Sequence, residues 1–295
     1  MKLKHYGRFY PVFYVINIIF LSGLAVLCII PLINILAISL SSSHYAAAGR
    51  VNLWPMGFTT ASYYMALGDS TFWTTLSVSV QRTLLGAAIN VLFTILMAYP
   101  LSKNTKYFPA RNRYMMYLFI TMMFNGGLVP TFLIVNYTGL MDSIWALILP
   151  GAINAWFVVL MVNFIRNLPK ELEEAALMDG AGHMTVLIKI VLPLCKASIA
   201  TITLFAMVGH WNSWLDGMIY ARTWANRPLA TYLQSLLTVD VARFMDPRHA
   251  DIMAQLNTRT LRAAVVFLNA FPIILVYPFL QKYFTKGIVV GSVKG

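Results

Sequence analysis

Six long apolar runs alternate with polar segments: Phe13 to about Leu40, Trp73 to about Leu101, Tyr114 to about Val135, Ser143 to about Ile165, Leu192 to about Asn212 and Leu261 to about Leu280. Each supplies the roughly 20 residues a helix needs to cross about 30 Å of hydrocarbon. Only helices or closed barrels satisfy their backbone groups inside lipid, and runs of this length specify helices. The expectation is an all-α membrane protein with six transmembrane helices. The third and fourth runs, separated only by 136–142, form a hairpin. The first run needs one check. Lys2, Lys4 and Arg8, then apolar sequence, then Ala46, Ala47 and Ala48 have the order of a secretory signal. The run is about twice the 7–15 residues of a signal core, so it reads as an uncleaved first span.

Composition agrees. The 295 residues are 59% hydrophobic and 11% charged, with a mean hydropathy of +0.70, too apolar for a soluble domain. A net charge of +12 raises the question of nucleic acid. The basic residues flank apolar runs instead of sharing one face, which fits anchoring at the membrane and implies no nucleic-acid partner. Cys28 and Cys195 lie in unlike surroundings, so neither a disulfide nor a cysteine metal site is expected.

Lys and Arg near the span ends set the orientation. With both termini inside, the inner segments carry fourteen basic residues and the outer ones seven, Arg82 being counted in neither. The expected layout is a cytoplasmic N-terminus over 1–12, a six-helix domain over 13–282 and a cytoplasmic tail over 283–295. Trp73, Trp145, Trp211 and Trp214 all fall near outer span ends, where indoles sit well.

One polar stretch lies between the fourth and fifth runs. Residues 169–193 read PKELEEAALMDGAGHMTVLIKIVLP. Pro169 is placed to open a helix, and Glu171, Glu173 and Glu174 put negative charge in its first turn, against the positive end of the helix dipole. Leu172, Ala176 and Gly180 recur at steps of four beside Ala175 and Asp179, a face with little bulk that invites close approach by another surface. Gly180 and Gly182 end the helix. A second short helical piece, His183 to Lys189, leads back into apolar sequence.

These residues resemble the EAA loop of ABC importer permeases: Glu174, Ala175 and Ala176, then Gly180, then Ile190, Leu192 and Pro193 match it without a gap. The resemblance implies a cytoplasmic coupling helix seated in an ATP-hydrolysing subunit, and adds Asp179 to the coupling residues. It further implies a second, homologous permease making a heterodimer, two ATP-binding cassette subunits and an extracytoplasmic solute-binding protein. ATP and Mg would belong to the cassette subunits, leaving this chain without cofactor, metal or catalytic residue. The YFTKGIVVGSVKG end is similar to the tails of carbohydrate-type permeases, which implies ATPase contact through Lys286, Gly287, Lys294 and Gly295, with Gly291 also in the pattern. From its residues alone the tail reads as a frayed terminus. The NGGLVPTF stretch over 125–132 and GHWNSW over 209–214 resemble a subgroup that includes lipoprotein-associated and alginate or oligouronide importers.

Several residues are candidates for a translocation path. Asn125, Gly126, Gly127 and Pro130 interrupt the third run, and backbone freed there must meet either a packed crossing or a water-filled path. Asn154 and Trp156 in the fourth run, with Asn163, either bond between helices or face the path. Trp211, Asn212, Trp214 and Asp216 offer the flat rings and planar polar groups that grip sugars, and would equally suit an interfacial belt. Arg82, inside the second run, either faces the path or snorkels outward.

No Gly is followed by Lys, so the chain has no phosphate-binding P-loop, and HExxH and GxSxG are also lacking. With the resemblance, the expectation is a non-enzymatic permease subunit of the inner membrane that moves an oligosaccharide, uronate-containing sugars of the alginate type being among the expected substrates. The alternatives are an importer of the same class for a non-sugar solute and an ion-coupled secondary carrier. A polytopic enzyme would need a reactive constellation that is not visible.

Overall fold

The computed structural model of this protein describes the backbone of residues 10–238 and 258–292, with side chains over 10–237 and 258–276. Regular structure among the described residues is helical, with a single isolated bridge between Ser41 and Phe58. In chain order the first helices are α1 (Tyr10–Ser39), α2 (Ser43–Ala47), α3 (Ala61–Gly68), α4 (Ser70–Ser102), α5 (Arg111–Met123) and α6 (Leu128–Tyr137). Then come α7 (Ile144–Ile148), α8 (Ala155–Arg166), α9 (Lys170–Met178), α10 (His183–Val186), α11 (Leu192–Leu194) and α12 (Lys196–Asn212). The last are α13 (Leu215–Tyr220), α14 (Leu229–Thr238) and α15 (Thr258–Ser292).

Three helices, α1, α4 and the Thr258–Val276 part of α15, are long and apolar enough to cross a membrane unbroken. Three further spans are bent. The pairs α5–α6, Ile144–Gly151 with α8, and His183–Leu194 with α12 turn by 112°, 51° and 81°. Counting each pair as one span gives the six expected, but half of them are not the straight rods that hydropathy alone suggests.

Each bend has a local cause. Between α5 and α6, Gly127 has φ +87 and ψ −177, a region essentially restricted to glycine. The Asn125 Oδ1 accepts the Gly127 N–H at 2.9 Å, and Pro130 sits in the first turn of α6. In the fourth span a 3₁₀ turn, Leu149–Gly151, contains Pro150, and α8 restarts with Asn154 as its N-cap. In the fifth a π-turn over Leu187–Val191 precedes Pro193, and the chain swings at Cys195.

The described chain divides into two compact units. The first comprises 10–69 with 236–238 and 258–271. Its core is small: Ala37, Ile38, Ala46, Val51 and Ala263. Most of α1 is exposed on every side, as suits a helix solvated by lipid, and only its last three residues are buried. Polar bonds fix that end. The Ser41 hydroxyl donates to the Ala37 carbonyl at 2.6 Å and accepts the Met56 N–H at 2.9 Å, while Asn34 donates to the Asn52 carbonyl at 2.6 Å.

The second unit spans 70–235 and continues along α15 from 272. At its centre lies α4, which buries Arg82, Gly86, Asn90, Thr94 and Ala98 at successive steps of four. Small and polar side chains let helices approach closely where lipid supplies no hydrophobic drive. Against this stripe pack Phe157, Val158, Met161 and Val162 of α8 and Ile202 and Ala206 of α12. At Gly86 the approach is so close that a Cβ would stand 2.5 Å from the His210 Nε2.

The sixth helix runs further than the sequence suggests. Its backbone stays helical through Ser292 instead of ending near Leu280, because nothing between those positions is a helix stop stronger than glycine. Lys286 and Gly287 lie on this stretch, where side chains are not described, and Lys294 and Gly295 lie outside the described residues.

Candidate functional site

The 169–193 stretch folds as the sequence indicates. Pro169 is the N-cap of α9, and Glu171 and Glu173 occupy its first turn. The C-terminal end is closed in a Schellman arrangement: the Gly180 N–H bonds the Leu177 carbonyl at 3.1 Å, and the Ala181 N–H bonds the Ala176 carbonyl at 2.9 Å. Gly180 has φ +84, the left-handed conformation this closure needs.

The two faces of α9 differ from expectation. Ala176 does approach a surface closely, but that surface is the chain's own core, against which Ala181, Ile190 and Leu192 also pack. The open face carries Glu171, Glu174, Ala175, Met178 and Asp179, and Met178 is 88% exposed. Pro193 lies exposed just before the Cys195 swing. The motif therefore splits by task, with Ala176, Ile190 and Leu192 seating the hairpin while Glu174, Ala175 and Asp179 are presented outward.

A contact that sequence reading did not single out ties α9 to α4. The Lys103 ammonium pairs with the Glu173 carboxylate and lies 3.8 Å from the centre of the Tyr99 ring. The Tyr99 hydroxyl donates to Glu173 at 3.4 Å and stands 3.5 Å from the His183 Nδ1. Burial pushes the Lys103 ammonium below the ordinary lysine range, and its bond to Glu173 opposes that shift. The hint in the sequence was the four-residue step from Tyr99 to Lys103 at the end of an apolar run, one turn of helix.

The second cluster lies at the other end of α4. Arg82 neither snorkels nor faces an open path, because only 2% of the residue is exposed. Its Nη1 donates to Asp216 Oδ1 at 3.1 Å and to the Ser213 carbonyl at 3.0 Å; its Nη2 meets Asp216 Oδ2 and the Leu147 carbonyl. Asp216, expected beside the path, is the counter-ion of this buried cation. A charge left unpaired in such a place is costly, which explains why the two meet.

Two turns along, Asn90 donates to the Gly151 and Ala152 carbonyls at 2.7 and 2.9 Å, and its Oδ1 lies 2.8 Å from His210 Nε2. Arg82 thus bonds a carbonyl of α7, and Asn90 bonds two at the break that precedes α8. Sequence reading passed over Asn90, since a lone amide in an apolar run carries no signature.

The remaining path candidates separate. Trp211 is buried at 7% exposure and belongs to the packing. The Asn154 side chain caps α8, accepting from the Trp156 and Phe157 N–H groups, and Asn212 bonds the Val208 carbonyl at 3.0 Å. Asn125 and Gly126 are exposed at the α5–α6 bend. Trp156 stays partly open, edge-on to Phe205 at 5.7 Å between ring centres, and Trp214 is 37% exposed. Phe205, Gly209 and Asn212 form one exposed stripe on α12. Beside the end of α13, Asp142, with φ +57, accepts from the Arg222 and Thr223 N–H groups at 2.9 and 3.1 Å. Among the described residues no group of three or more acidic, His or Cys side chains is arranged to hold a metal.

Bent spans, a buried polar seam and a hairpin presented at one end are the features of a polytopic helical membrane protein. The family model for the binding-protein-dependent transport system inner membrane component matches residues 79–215, the segment that carries Arg82, Asn90, all three bends and the hairpin. The chain belongs to that family of ABC importer permeases. It is 38% identical to Protein LplC of Bacillus subtilis (strain 168), over 96% of this chain and 95% of that one. To the polygalacturonan/rhamnogalacturonan transport system permease protein YtcP of the same organism it is 37% identical, over 94% and 96%. A chain of a bacterial ABC transporter involved in the import of the acidic polysaccharide alginate matches at 31% identity and a TM-score of 0.85, covering 95% of this chain and 99% of that one.

Proposed function

We propose that this chain forms half of the translocation path of an ATP-driven importer for an oligosaccharide, with uronate-containing sugars as the leading substrates. The observation that carries the coupling role is the outward face of α9, where Glu171, Glu174, Ala175, Met178 and Asp179 stand free of the core around a rigid, glycine-closed end. The substrate class rests on full-length relatives named for polygalacturonan/rhamnogalacturonan and alginate transport. A second permease completes the path. Two cassette subunits bind ATP and Mg and hydrolyse the nucleotide, and an extracytoplasmic binding protein delivers the sugar. Both termini and α9 face the cytoplasm of the inner membrane, in keeping with fourteen inner against seven outer basic residues. Trp156 and Phe205 offer a sugar the open ring faces, with Asn212 on the same stripe.

Coupling follows from linkage. ATP closes the cassette subunits, α9 moves with them, and the Lys103–Glu173 pair carries that movement to α4. The test is a pull-down of the solubilised chain from its native membrane, followed by ATPase assays with binding proteins loaded with oligogalacturonate, alginate oligosaccharide or maltodextrin. Recovery of a second permease and a cassette subunit, with hydrolysis raised by an acidic oligosaccharide, is the expected result. A chain recovered alone that moves solute down an ion gradient would overturn the importer reading. Stimulation by maltodextrin alone would overturn the substrate class.

A further inference from the structure

Two cavities adjoin at the Ser102 end of α4. The lower, about 940 Å³, lies between the loop after α4 and the α9 hairpin; the upper, about 520 Å³, runs between α4 and α5 toward Ile153 and Ala155. Leu96, Pro100 and Phe108 line both, so the two are direct neighbours. Their chemistry differs sharply. The lower is bordered by Lys103, Lys106, Arg111, Arg166 and Lys170 against two carboxylates, Glu173 and Glu174, an excess of three positive charges. Lys103 is matched by Glu173; Arg111 bonds the Leu101 carbonyl through Nε and Asn112 Oδ1 through Nη1, which leaves its Nη2 for a ligand, and Arg166 bonds the Ser102 carbonyl through Nε and keeps both Nη groups for one. The upper is walled by groups such as Met97, Leu101, Leu118 and Ile153, and its Thr121 hydroxyl is already bonded to the Leu118 carbonyl.

We propose that this pair of cavities is a binding site for an anionic phospholipid, with the phosphate in the lower cleft and an acyl chain in the upper groove. Basic pockets between spans at the cytoplasmic side suit acidic headgroups, and each cation near such a surface is worth about fivefold in affinity. An acidic protein surface would satisfy the lower cleft but leave the apolar groove empty, whereas an amphiphile satisfies both. Lipid seated here touches Lys170 and Leu172 of α9 and Leu96 of α4, and so props the same joint that the Lys103–Glu173 pair fastens. The inference relies on the cytoplasmic placement proposed above, but its readout does not depend on transport.

The test is native mass spectrometry of the purified full-length chain after incubation with equal phosphatidylglycerol and phosphatidylcholine, repeated with the cassette subunits bound. Phosphatidylglycerol should be retained in preference to phosphatidylcholine. The double variant K106Q/K170Q should lower its occupancy by about thirtyfold, and Thr121→Trp, which fills the upper groove, should lower it as well. Thermal unfolding of each variant confirms folding, and the wild-type preference needs no variant at all. Equal retention of the two lipids, or retention unchanged in both variants, would overturn the site. Displacement by glycerol phosphate alone would show a site for a free phosphate ester, and loss of lipid on adding the cassette subunits would show a protein-covered cleft; either also overturns it.

Discussion

The Arg82 guanidinium and the Asp216 carboxylate meet across 134 positions of chain, and through the Leu147 and Ser213 carbonyls they join three separate segments of the second unit. Removing one partner strands the other charge in a buried site, which costs about 3–5 kcal/mol. Arg82→Ala and Asp216→Ala should each lower the thermal unfolding midpoint in detergent strongly. The apolar double variant R82M/D216L should recover much of the loss. Two single variants as stable as wild type would show that the pair holds nothing together.

Gly180 tests backbone against space. A Cβ there meets nothing within 4 Å, so any penalty comes from φ +84 and not from a clash. Gly180→Val should cost about 1–2 kcal/mol locally, loosen the end of α9 and reduce cassette-subunit capture in a pull-down. Gly180→Asn, which tolerates the left-handed region, should retain most capture. Equal behaviour of the two variants would remove the conformational explanation.

For Lys103 and Glu173 the informative experiment is a swap. K103E and E173K alone should each reduce uptake severalfold while leaving the chain folded, since a partly exposed pair contributes only about 1 kcal/mol to stability. The reversed pair K103E/E173K should regain a good part of the uptake. No recovery in the double variant would mean that geometry specific to lysine over the Tyr99 ring, not charge pairing, is what matters.

Asp142 yields a prediction in pH. The Thr223 backbone N–H, with bonds from Asn226 and Arg222 and the Thr223 hydroxyl, holds its carboxyl below the usual carboxylate range, against a smaller opposing effect of burial. A depressed folded-state value means the stabilisation is fully present above the unfolded value of about 4 and is lost as pH falls through the folded one. Asp142→Asn keeps a residue that accepts φ +57 and removes the charge. The variant should be less stable than wild type by no more than about 1 kcal/mol from pH 5 to 7, and the gap should close as the pH drops below about 4. A gap that stays constant down to pH 3 would show that ionisation is irrelevant at this position.

What could be read ahead of the structure follows the range of the interactions. Hydropathy located all six spans, and Pro169, the acidic first turn and Gly180 gave the α9 hairpin, because each rests on neighbours a few residues apart. Asn125, Gly126 and Gly127 flagged the sharpest bend. Pro150 and Gly151 marked the fourth-span break just as visibly, yet a two-residue interruption does not lower the hydropathy of a 23-residue run enough to divide it. The partners of Arg82 and Asn90 were not legible, since sequence shows that a polar group is buried but not which distant carbonyl receives it. The same holds for Glu173, one position from the motif residue Glu174 and about 100° round the helix from it.

The contact of Gly86 with the His210 ring carries a further consequence. With the ring pressed onto a position that has no side chain, and with Arg82 and Asn90 one turn to either side, α4 cannot slip along α12 without driving a larger residue into the imidazole. The two helices therefore behave as a keel. Any rearrangement within this unit that keeps its core packed then has to leave that register intact.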